Sequence, residues 1–408
     1  MPPSEHEPGP GRSDARPAPV PEPATTASTG LASLARRGGR RALRTARDLR
    51  ARARLAAVPL GRYAPRSALR LPEHRVERAS AAAVDAHNHL GLWLNDGAAW
   101  MAPDVRALLA RMDATGVEAV VNLDGRWGAE LEANLDRYDR AHPGRFATFC
   151  HVDLAAALAD PSQVRSRLVS QLDAGAAAGA AGLKVWKDLG LSLRDGAGRR
   201  VLPDDERLAP LWERAGQLGL PVLVHVADPV AFFDPVDRHN ERLEELLAHP
   251  DWALHGTGAP SHARLLASLG AVVGAHPRTR FVAAHVASSA EDLAAVSALL
   301  DAHPNLAVDL SGRMAELGRQ PRAAAALLRR HAGRVLWGSD SFGFDVEEVR
   351  TWFRLLETAD EHFPYSPHPV PPQGRWAVSG LDLLATDEPA LRAALAGAAR
   401  AWVPALGR

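Results

Sequence analysis

The sequence predicts an α/β protein: a (β/α)8, or TIM, barrel over residues 79–408, preceded over residues 1–78 by a disordered, arginine-rich extension. Two observations support this prediction. From about residue 80, short apolar runs alternate with amphipathic stretches, which is typical of a parallel sheet covered by helices. The first 30 residues or so are mostly Pro, Ser, Glu, Ala and Thr, a composition that cannot form a core.

Eight apolar runs are the candidate barrel strands. Most are rich in Val, Leu and Ala, as expected of strands that are buried on both faces. Residues 105–115, 206–218 and 290–303 are examples of the amphipathic stretches between them. One connection, residues 226–279, is far longer than an ordinary loop, and such insertions commonly form lids or substrate-binding structure. The runs are residues 83–87, 118–123, 146–151, 182–186, 221–225, 280–285, 305–310 and 334–338.

The composition narrows the class of protein. The formal net charge is +0, so the charge of the whole chain favours no specific nucleic acid as a partner. The single cysteine, Cys150, excludes an intramolecular disulfide and suits a reducing cytoplasm, where we expect the protein to act. We expect no transmembrane segment and no cleaved secretory signal, because no sufficiently long apolar run exists. The oligomeric state stays open, with a homodimer among the alternatives.

Arginine dominates residues 36–54 of the extension, in which Asp48 is the only acid. Arg40, Arg44 and Arg47 would lie on one face of a helix. One interpretation is a basic arm that contacts an anionic surface. The other is a solvated tail, which the lack of a bulky apolar face favours.

Metal-binding residue types stand at the ends of the predicted strands. His87 and His89 lie two apart in the first run, so in a strand both imidazoles point to one side and can reach one ion. Alone, such a pair is more often a surface or turn feature. His225 and His285 end the fifth and sixth runs and Asp340 follows the eighth, at the strand ends where barrel enzymes place their chemistry. Singly, such histidines are more often core residues and such an aspartate a helix N-cap; together they predict a metal site.

Lysine is almost absent from the chain. Among the 48 Lys and Arg residues, only Lys184 and Lys187 are lysine. Lysine can lose its proton or be modified and arginine cannot, so Lys184 at the end of the fourth run is a candidate functional residue. Lys187 would face the opposite way in a regular strand. The alternative for Lys184 is a buried ion pair near the site.

The sequence resembles the amidohydrolase superfamily, and more narrowly the amidohydrolase-related branch that includes the aminocarboxymuconate-semialdehyde decarboxylase-like enzymes. The resemblance covers roughly residues 80–400 and is specific for the superfamily but not for the substrate. It implies a barrel of the metal-dependent hydrolase type that binds one or two divalent cations, with Zn²⁺ expected first. The segments that carry it are Asp-Ala-His-Asn-His at 85–89, Gly-Leu-Lys-Val at 182–185, Val-His at 224–225, Ala-His at 284–285 and Trp-Gly-Ser-Asp at 337–340.

The resemblance assigns roles to the residues at the strand ends. His87, His89, His225 and Asp340 would bind metal, and Asp340 would also be the general base toward a metal-activated water. His285 would be a further ligand, or a catalytic residue that polarises the substrate or shuttles protons.

Other residues would complete the site. Lys184 would be carboxylated and bridge two metals, as in binuclear relatives, or would bind a substrate carboxylate, as a mononuclear site allows. Trp93 and Trp186 are candidate substrate contacts. Arg313 could pair with a substrate carboxylate in a bidentate fork.

Three functions are consistent with these residues. The leading hypothesis is hydrolysis of a C–O or C–N bond in a small-molecule ester, lactone or amide. The second is non-oxidative decarboxylation on the same metal scaffold, in which the substrate carboxylate binds the ion and no water attacks. A non-catalytic binding barrel is the third, and the complete ligand set argues against it.

Overall fold

The computed structural model describes residues 28–59, 62–63, 67–368 and 370–407, with side chains described from residue 42 onward. The chain divides into two compact units, Met1–Arg70 and Leu71–Arg408. In the first unit, Ser28–Ala56 form helix α1, and the side chains of residues 42–56 are exposed. The expected disorder therefore does not extend to this segment, because its many Ala, Leu and Arg residues favour a helix. Residues 1–27 lie outside the described residues, and the domain boundary at 78/79 stays a prediction.

The second unit is built on a parallel sheet that closes into a barrel. The order of strands in the sheet is β8-β7-β6-β5-β4-β3-β2-β1-β9, so strands that are consecutive in sequence are neighbours from β1 to β8. The strands are β1 (Ala83–His89), β2 (Val117–Asn122), β3 (Phe146–Cys150), β4 (Gly182–Val185), β5 (Val222–Val224), β6 (Phe281–Ala283), β7 (Leu306–Asp309), β8 (Val335–Leu336) and β9 (Ser341–Phe342). Beside the barrel, β10 (Phe363–Pro364) and β11 (Ala377–Val378) form an antiparallel pair.

Two short strands share the eighth position of the barrel. Strand β8 pairs with β7, and β9 pairs with β1. Between them, the Ala86 N–H donates to the Trp337 carbonyl (3.0 Å) and the Asp340 N–H donates to the His87 carbonyl (2.8 Å). These bonds close the ring, and the predicted (β/α)8 barrel is confirmed.

Helices connect the strands and cover the sheet. The long connection between β5 and β6 contains two of them, α8 and α9. In the described part of the chain, no helix combines the length and apolar character that crossing a membrane requires. After α1, the helical segments are α2 (Val105–Thr115), α3 (Gly128–Leu135), α4 (Leu154–Leu158), α5 (Val164–Ala178), α6 (Asp188–Leu191), α7 (Ala209–Leu218), α8 (Leu243–Ala248), α9 (His262–Ala275), α10 (Ala284–Ala287), α11 (Leu293–Ala302), α12 (Met314–Arg319), α13 (Pro321–Arg330), α14 (Val346–Glu357), α15 (Leu383–Thr386), α16 (Glu388–Arg392) and α17 (Ala398–Trp402).

Alternate strand residues face two apolar layers, one against the helices and one inside the barrel. The inner layer includes Val84, Leu223 and Val282 and continues into the C-terminal segment through Trp402. Trp402 Nε1 donates to the Gly333 carbonyl, just before β8 (2.9 Å). The C-terminal segment thus covers the N-terminal end of the barrel, which leaves the opposite end for a site.

Glu348 in α14 gives the stability of the fold a pH dependence. Burial raises the pKa of its carboxyl from 4.5 to about 7, although Ser341 Oγ donates a hydrogen bond to it (2.7 Å). Between these two values the folded state holds a proton that the unfolded chain releases. The stability that this group contributes is therefore complete below the lower value and is lost as the pH rises through the higher one.

We expect Glu348→Gln to raise the free energy of unfolding at about pH 8.5 by up to about 3 kcal/mol, and to change it little at about pH 4.5. Guanidinium unfolding of both metal-free proteins at the two pH values measures this difference. Other titrating groups are common to both proteins and cancel in the comparison. An effect of equal size at both pH values would show that the pKa of Glu348 is not raised in the folded state.

Candidate metal centre

The histidine pair of β1 and Asp340 meet at the C-terminal end of the barrel. His87 Nε2 lies 3.4 Å, and His89 Nε2 3.3 Å, from Asp340 Oδ1. Both imidazoles are buried, whereas the Asp340 side chain is 29% exposed and so can meet a substrate. Asp340 caps no helix; Asp345 is the N-cap of the following helix, α14. The N-cap alternative for Asp340 is therefore excluded.

A register shift in β1 directs the two histidines inward. Val84 and Ala86 already face the inner layer, so a regular strand would turn His87 outward. The pairing of β1 with β2 is irregular between Asp85 and Asn88, and a bulge of this kind re-aims the side chains that follow it. Gly338 permits the close approach of the neighbouring strand, because a Cβ there would lie 2.8 Å from the Cβ of His87.

Two carboxylates fix the orientation of these imidazoles. His87 Nδ1 donates to Asp309 Oδ2 (2.9 Å), and His89 Nδ1 donates to Asp124 Oδ1 (2.7 Å). Because each Nδ1 is held by a carboxylate, each Nε2 is directed toward Asp340 and is the nitrogen that a metal would take. Sequence analysis missed both aspartates. Asp309 ends β7 and Asp124 follows β2, so a search of strand ends for acceptors as well as for ligands would have found them.

His225 and His285 complete the imidazole cluster. The His285 ring centroid lies 4.8 Å from that of His87 and 4.3 Å from that of His225. His285 Nδ1 donates to the Ser311 carbonyl (2.9 Å) and lies 3.9 Å from Asp340 Oδ2. Both ring nitrogens of His225 are buried and have no hydrogen-bond partner among the described residues, which argues against the alternative of a hydrogen-bonded core histidine.

The donor set fits a divalent cation. His87, His285 and Asp340 each offer a ligand atom, and these atoms lie within 4.8 Å of one another. Ligand atoms around a tetrahedral ion with bonds of about 2.1 Å are roughly 3.4 Å apart, which matches the separation of both Nε2 atoms from Asp340 Oδ1. Buried nitrogens without partners at His87 and His225 would otherwise cost free energy.

His285 stands on a left-handed turn. His285, Val286, Ala287 and Ser288 have φ values of 58°, 57°, 54° and 52°. Each non-glycine residue in this conformation costs roughly 1–2 kcal/mol, and a β-branched valine is especially unfavourable there. Tertiary contacts hold the turn, since the His285 N–H donates to Asp309 Oδ1 (3.0 Å). Strain of this kind is concentrated at functional sites.

Lys184 lies beside the cluster at the end of β4. It is 1% exposed, and Nζ has no hydrogen-bond partner among the described residues. The alternative of a buried ion pair is therefore not realised there. Lys187 instead pairs with Asp228 (2.7 Å), which agrees with the expectation that it does not share the role of Lys184.

Aromatic rings line one side of the centre. The Trp186 ring centroid lies 5.1 Å from that of Trp93, 5.7 Å from His89 and 5.8 Å from His225. Trp93 Nε1 donates to the same Asp124 oxygen as His89 (2.8 Å). Both tryptophans that were predicted as substrate contacts therefore adjoin the histidines.

One arginine lies against this aromatic wall, and a second acts on the charge of His225 and His285. Arg126, which sequence analysis missed, places its guanidinium 4.8 Å from the Trp93 ring and 4.0 Å from the Trp127 ring. It lines a cavity of about 190 Å³ together with Lys184 and Trp186. Arg313 is 7% exposed and donates to the Gly312 carbonyl (2.7 Å), and its buried Nε has no hydrogen-bond partner in the part of the chain that the structure describes. No pattern near Arg126 in the sequence indicated this position.

A family model described as amidohydrolase matches residues 84–404. The chain belongs to the amidohydrolase family. It is thus a metal-dependent enzyme, and the superfamily resemblance seen in the sequence is confirmed. No curated protein matches the chain.

Solved structures are similar to this amidohydrolase at low identity. An amidohydrolase from Burkholderia multivorans with bound zinc is 16% identical, with a TM-score of 0.47, over 79% of this chain and 99% of that one. A dihydroxybenzoic acid decarboxylase from Polaromonas sp. JS666 with bound manganese is 14% identical, with a TM-score of 0.47, over 80% and 98%. A 2,6-dihydroxybenzoate decarboxylase from Rhizobium is 18% identical, with a TM-score of 0.44, over 67% and 91%.

Three imidazoles of the amidohydrolase are held in the neutral form. Burial lowers the pKa of His87, lowers that of His225 well below its ordinary value, and lowers that of His285 to about 3. Neutral imidazole is the form that binds a metal. Burial also lowers the pKa of Lys184 to about 8, against the attraction of Asp309 and Asp340, so a fraction of this amine is uncharged near neutral pH.

His89 and Asp340 differ from these groups. Burial would lower the pKa of His89, but Asp124 and then Asp340 outweigh it and raise the pKa to about 9. Burial would raise the pKa of Asp340, but His285, His87 and His89 hold it below its ordinary value of 3.8. Asp340 is therefore ionised at neutral pH, and metal binding at His89 would release a proton.

Removal of the carboxylate behind His87 should weaken metal binding. We expect Asp309→Asn to lower metal affinity about 10- to 100-fold, because the amide no longer fixes the tautomer of His87. This is the usual effect of removing a hydrogen-bond acceptor from a metal-binding histidine. Competition against a chromogenic chelator measures the dissociation constant. Asp301→Asn, an exposed change eight residues earlier, is the control. Equal affinities in the two variants would show that Asp309 has no such role.

Proposed function

We propose that this amidohydrolase is a hydrolase that cleaves the C–O or C–N bond of a small-molecule ester, lactone or amide. The observation that carries the proposal is the convergence of two imidazole Nε2 atoms on one oxygen of an ionised, partly exposed carboxylate, Asp340. A base that is both deprotonated and accessible beside a metal site is what hydrolysis at neutral pH requires.

His87, His89, His225 and Asp340 would hold the cation, with Zn²⁺ the first candidate. When bound, the cation supplies Lewis-acid polarisation of the substrate oxygen and lowers the pKa of a coordinated water to about 7. Asp340 Oδ1 faces the two histidines of β1, and Oδ2 faces His285. Asp340 would accept the proton of the attacking water and return it to the leaving group.

The protonation state of His285 favours a ligand over a residue that donates a hydrogen bond to the substrate. Its Nδ1 proton is committed to the Ser311 carbonyl (2.9 Å), and its pKa of about 3 leaves Nε2 without a proton. A nitrogen in this state accepts and cannot donate to a developing oxyanion. The ring can coordinate an ion without any change of protonation.

Lys184 sets the number of ions in this proposal. An uncharged amine can react with carbon dioxide to form a carbamate, and the lowered pKa of Lys184 makes that form accessible. A carbamate at this position would bridge two cations. Without it, the ammonium would bind a substrate carboxylate beside a single cation.

Decarboxylation is the second candidate, and the arginines favour it. Arg126 supplies positive charge against the Trp93 ring, and the charge of buried Arg313, whose Nε has no hydrogen-bond partner among the described residues, acts on His225 and His285. Such a wall suits a planar, anionic substrate. In this reaction the substrate carboxylate would bind the cation, and a solvent proton would replace the departing carbon dioxide.

Isotope labelling distinguishes the two reactions. Metal-loaded protein is incubated with a panel of lactones, esters, amides and hydroxylated aromatic acids, in H₂¹⁸O and separately in D₂O. Hydrolysis places one ¹⁸O in the product acid; decarboxylation places one deuterium on carbon and releases carbon dioxide.

The His87→Ala/His89→Ala double variant is the control for this test. It should bind little metal and show neither product. Fewer than about a tenth of a metal per chain in the metal-replete unsubstituted protein would refute both reactions. About one ion per chain supports the mononuclear form, and about two support a bridging Lys184.

A further inference from the structure

Three glutamates, one from each of the segments that follow β5, β6 and β7, meet on the same side of the barrel as the metal centre. Glu241 belongs to the connection between β5 and β6, Glu291 follows β6, and Glu316 lies in α12 after β7. Each offers one carboxylate oxygen, and these oxygens lie within 4.8 Å of one another. Carboxylates so close repel each other unless positive charge lies between them.

Two of these carboxylates have an oxygen without a donor. Glu316 is 1% exposed; one oxygen pairs with Arg242, and the other, Oε2, is buried and accepts no hydrogen bond from the described residues. Glu291 Oε1 accepts from the Val230 N–H (3.2 Å), but its Oε2 is likewise buried without a donor. A buried carboxylate oxygen in this state is costly, so its persistence indicates a ligand.

The nearby arginines do not neutralise the cluster. Arg242 is shared between Glu316 and Glu245, whose Oε2 lies 2.7 Å from Nη1. Arg319 pairs with Glu241 (3.0 Å). Two guanidinium groups thus face the carboxylates of Glu241, Glu245 and Glu316. Glu291 adds a fourth negative charge.

A cavity of about 450 Å³ adjoins the cluster and connects it with solvent. Its charged lining is acidic, with Asp234 and Asp237 beside Glu241 and Glu291, and His239 is the one residue of basic type among the lining residues. The field of such a cavity attracts cations. Its shape and charge therefore provide an entry path.

We infer that Glu241, Glu291 and Glu316 form a second cation site, separate from the imidazole centre, that takes a hard divalent cation of the Ca²⁺ class. An all-carboxylate donor set suits Ca²⁺, Mg²⁺ or Mn²⁺ and not an ion that prefers imidazole. The three loops that it joins are those that carry His225, His285 and Arg313. A cation here would fix the position of these loops at the mouth of the barrel.

Calcium binding to the zinc-loaded protein tests this inference. Equilibrium dialysis against Ca²⁺ should give about one Ca²⁺ per chain without release of zinc, and Tm should rise by on the order of 3 °C. Glu291→Gln, a change that keeps the size of a half-buried side chain, should weaken Ca²⁺ affinity at least about tenfold and keep the zinc content. Glu361→Gln, an exposed change of the same charge outside the cluster, should leave Ca²⁺ affinity unchanged.

Three results would overturn the inference. The first is that the zinc-loaded protein binds no Ca²⁺. The second is release of zinc in proportion to the Ca²⁺ bound, which would locate binding at the imidazole centre. The third is equal Ca²⁺ affinity in Glu291→Gln, in Glu241→Gln and in the unsubstituted protein.

Discussion

Asp340→Asn is expected to lower kcat by about 10³-fold or more while the protein stays folded. Asparagine keeps the size of the side chain and tolerates the left-handed backbone of this position, where φ is 64°. Its amide cannot accept the proton of the attacking water or return it to the leaving group. Measurement of kcat together with metal content per chain separates a lost base from a lost ligand.

Asp96→Asn is a matched control for this change. Asp96 is exposed and also has a left-handed backbone, with φ of 50°, so the same substitution is made in the same conformation at a residue that is not a candidate metal ligand. We expect its turnover to equal that of the unsubstituted protein. If Asp340→Asn retained more than about a tenth of the normal kcat with full metal content, another group would have to be the base.

Lys184→Arg is expected to lower turnover at least about 100-fold even though the positive charge is kept. The guanidinium cannot lose its proton, cannot form a carbamate, and is larger than the amine in a position that is 1% exposed. Lys187→Arg is the matched control, because the ion pair of Lys187 with Asp228 can be made by either cation. Near-normal turnover of Lys184→Arg would refute both roles proposed for Lys184.

Lys184→Met separates the two roles. Methionine removes the amine and adds little volume. If Lys184 is a bridging carbamate, metal content should fall from about two ions per chain to about one. If it binds a substrate carboxylate, metal content should stay constant and KM should rise.

Much of the barrel could be predicted from the sequence, because each strand is a short buried run that differs locally from the helix beside it. All eight predicted runs overlap strands of the barrel. A helix as long as Ser28–Ala56 was not predicted, because a composition rich in arginine is typical of a solvated tail. The division of the eighth strand into two pieces was also missed, since it depends on pairing with both β7 and β1.

The ligands of the centre could be predicted and their partners could not. His87 and His89 were chosen because residues two apart share a face, but the bulge between Asp85 and Asn88 is what turns them inward. The partner of His87, Asp309, lies 222 positions away and reaches it only through closure of the barrel. Local patterns carry no information on a contact of that separation.

The left-handed turn after β6 has a consequence for the order in which the molecule assembles. No glycine stands at positions 285–288, so an isolated segment would not adopt this conformation, and the bond to Asp309 that helps to hold it comes from the next strand. A chain whose last strands are not yet docked therefore cannot present His285 beside His87. Tight metal binding should accordingly accompany the last step of folding, so a chain that binds the ion tightly has closed its barrel.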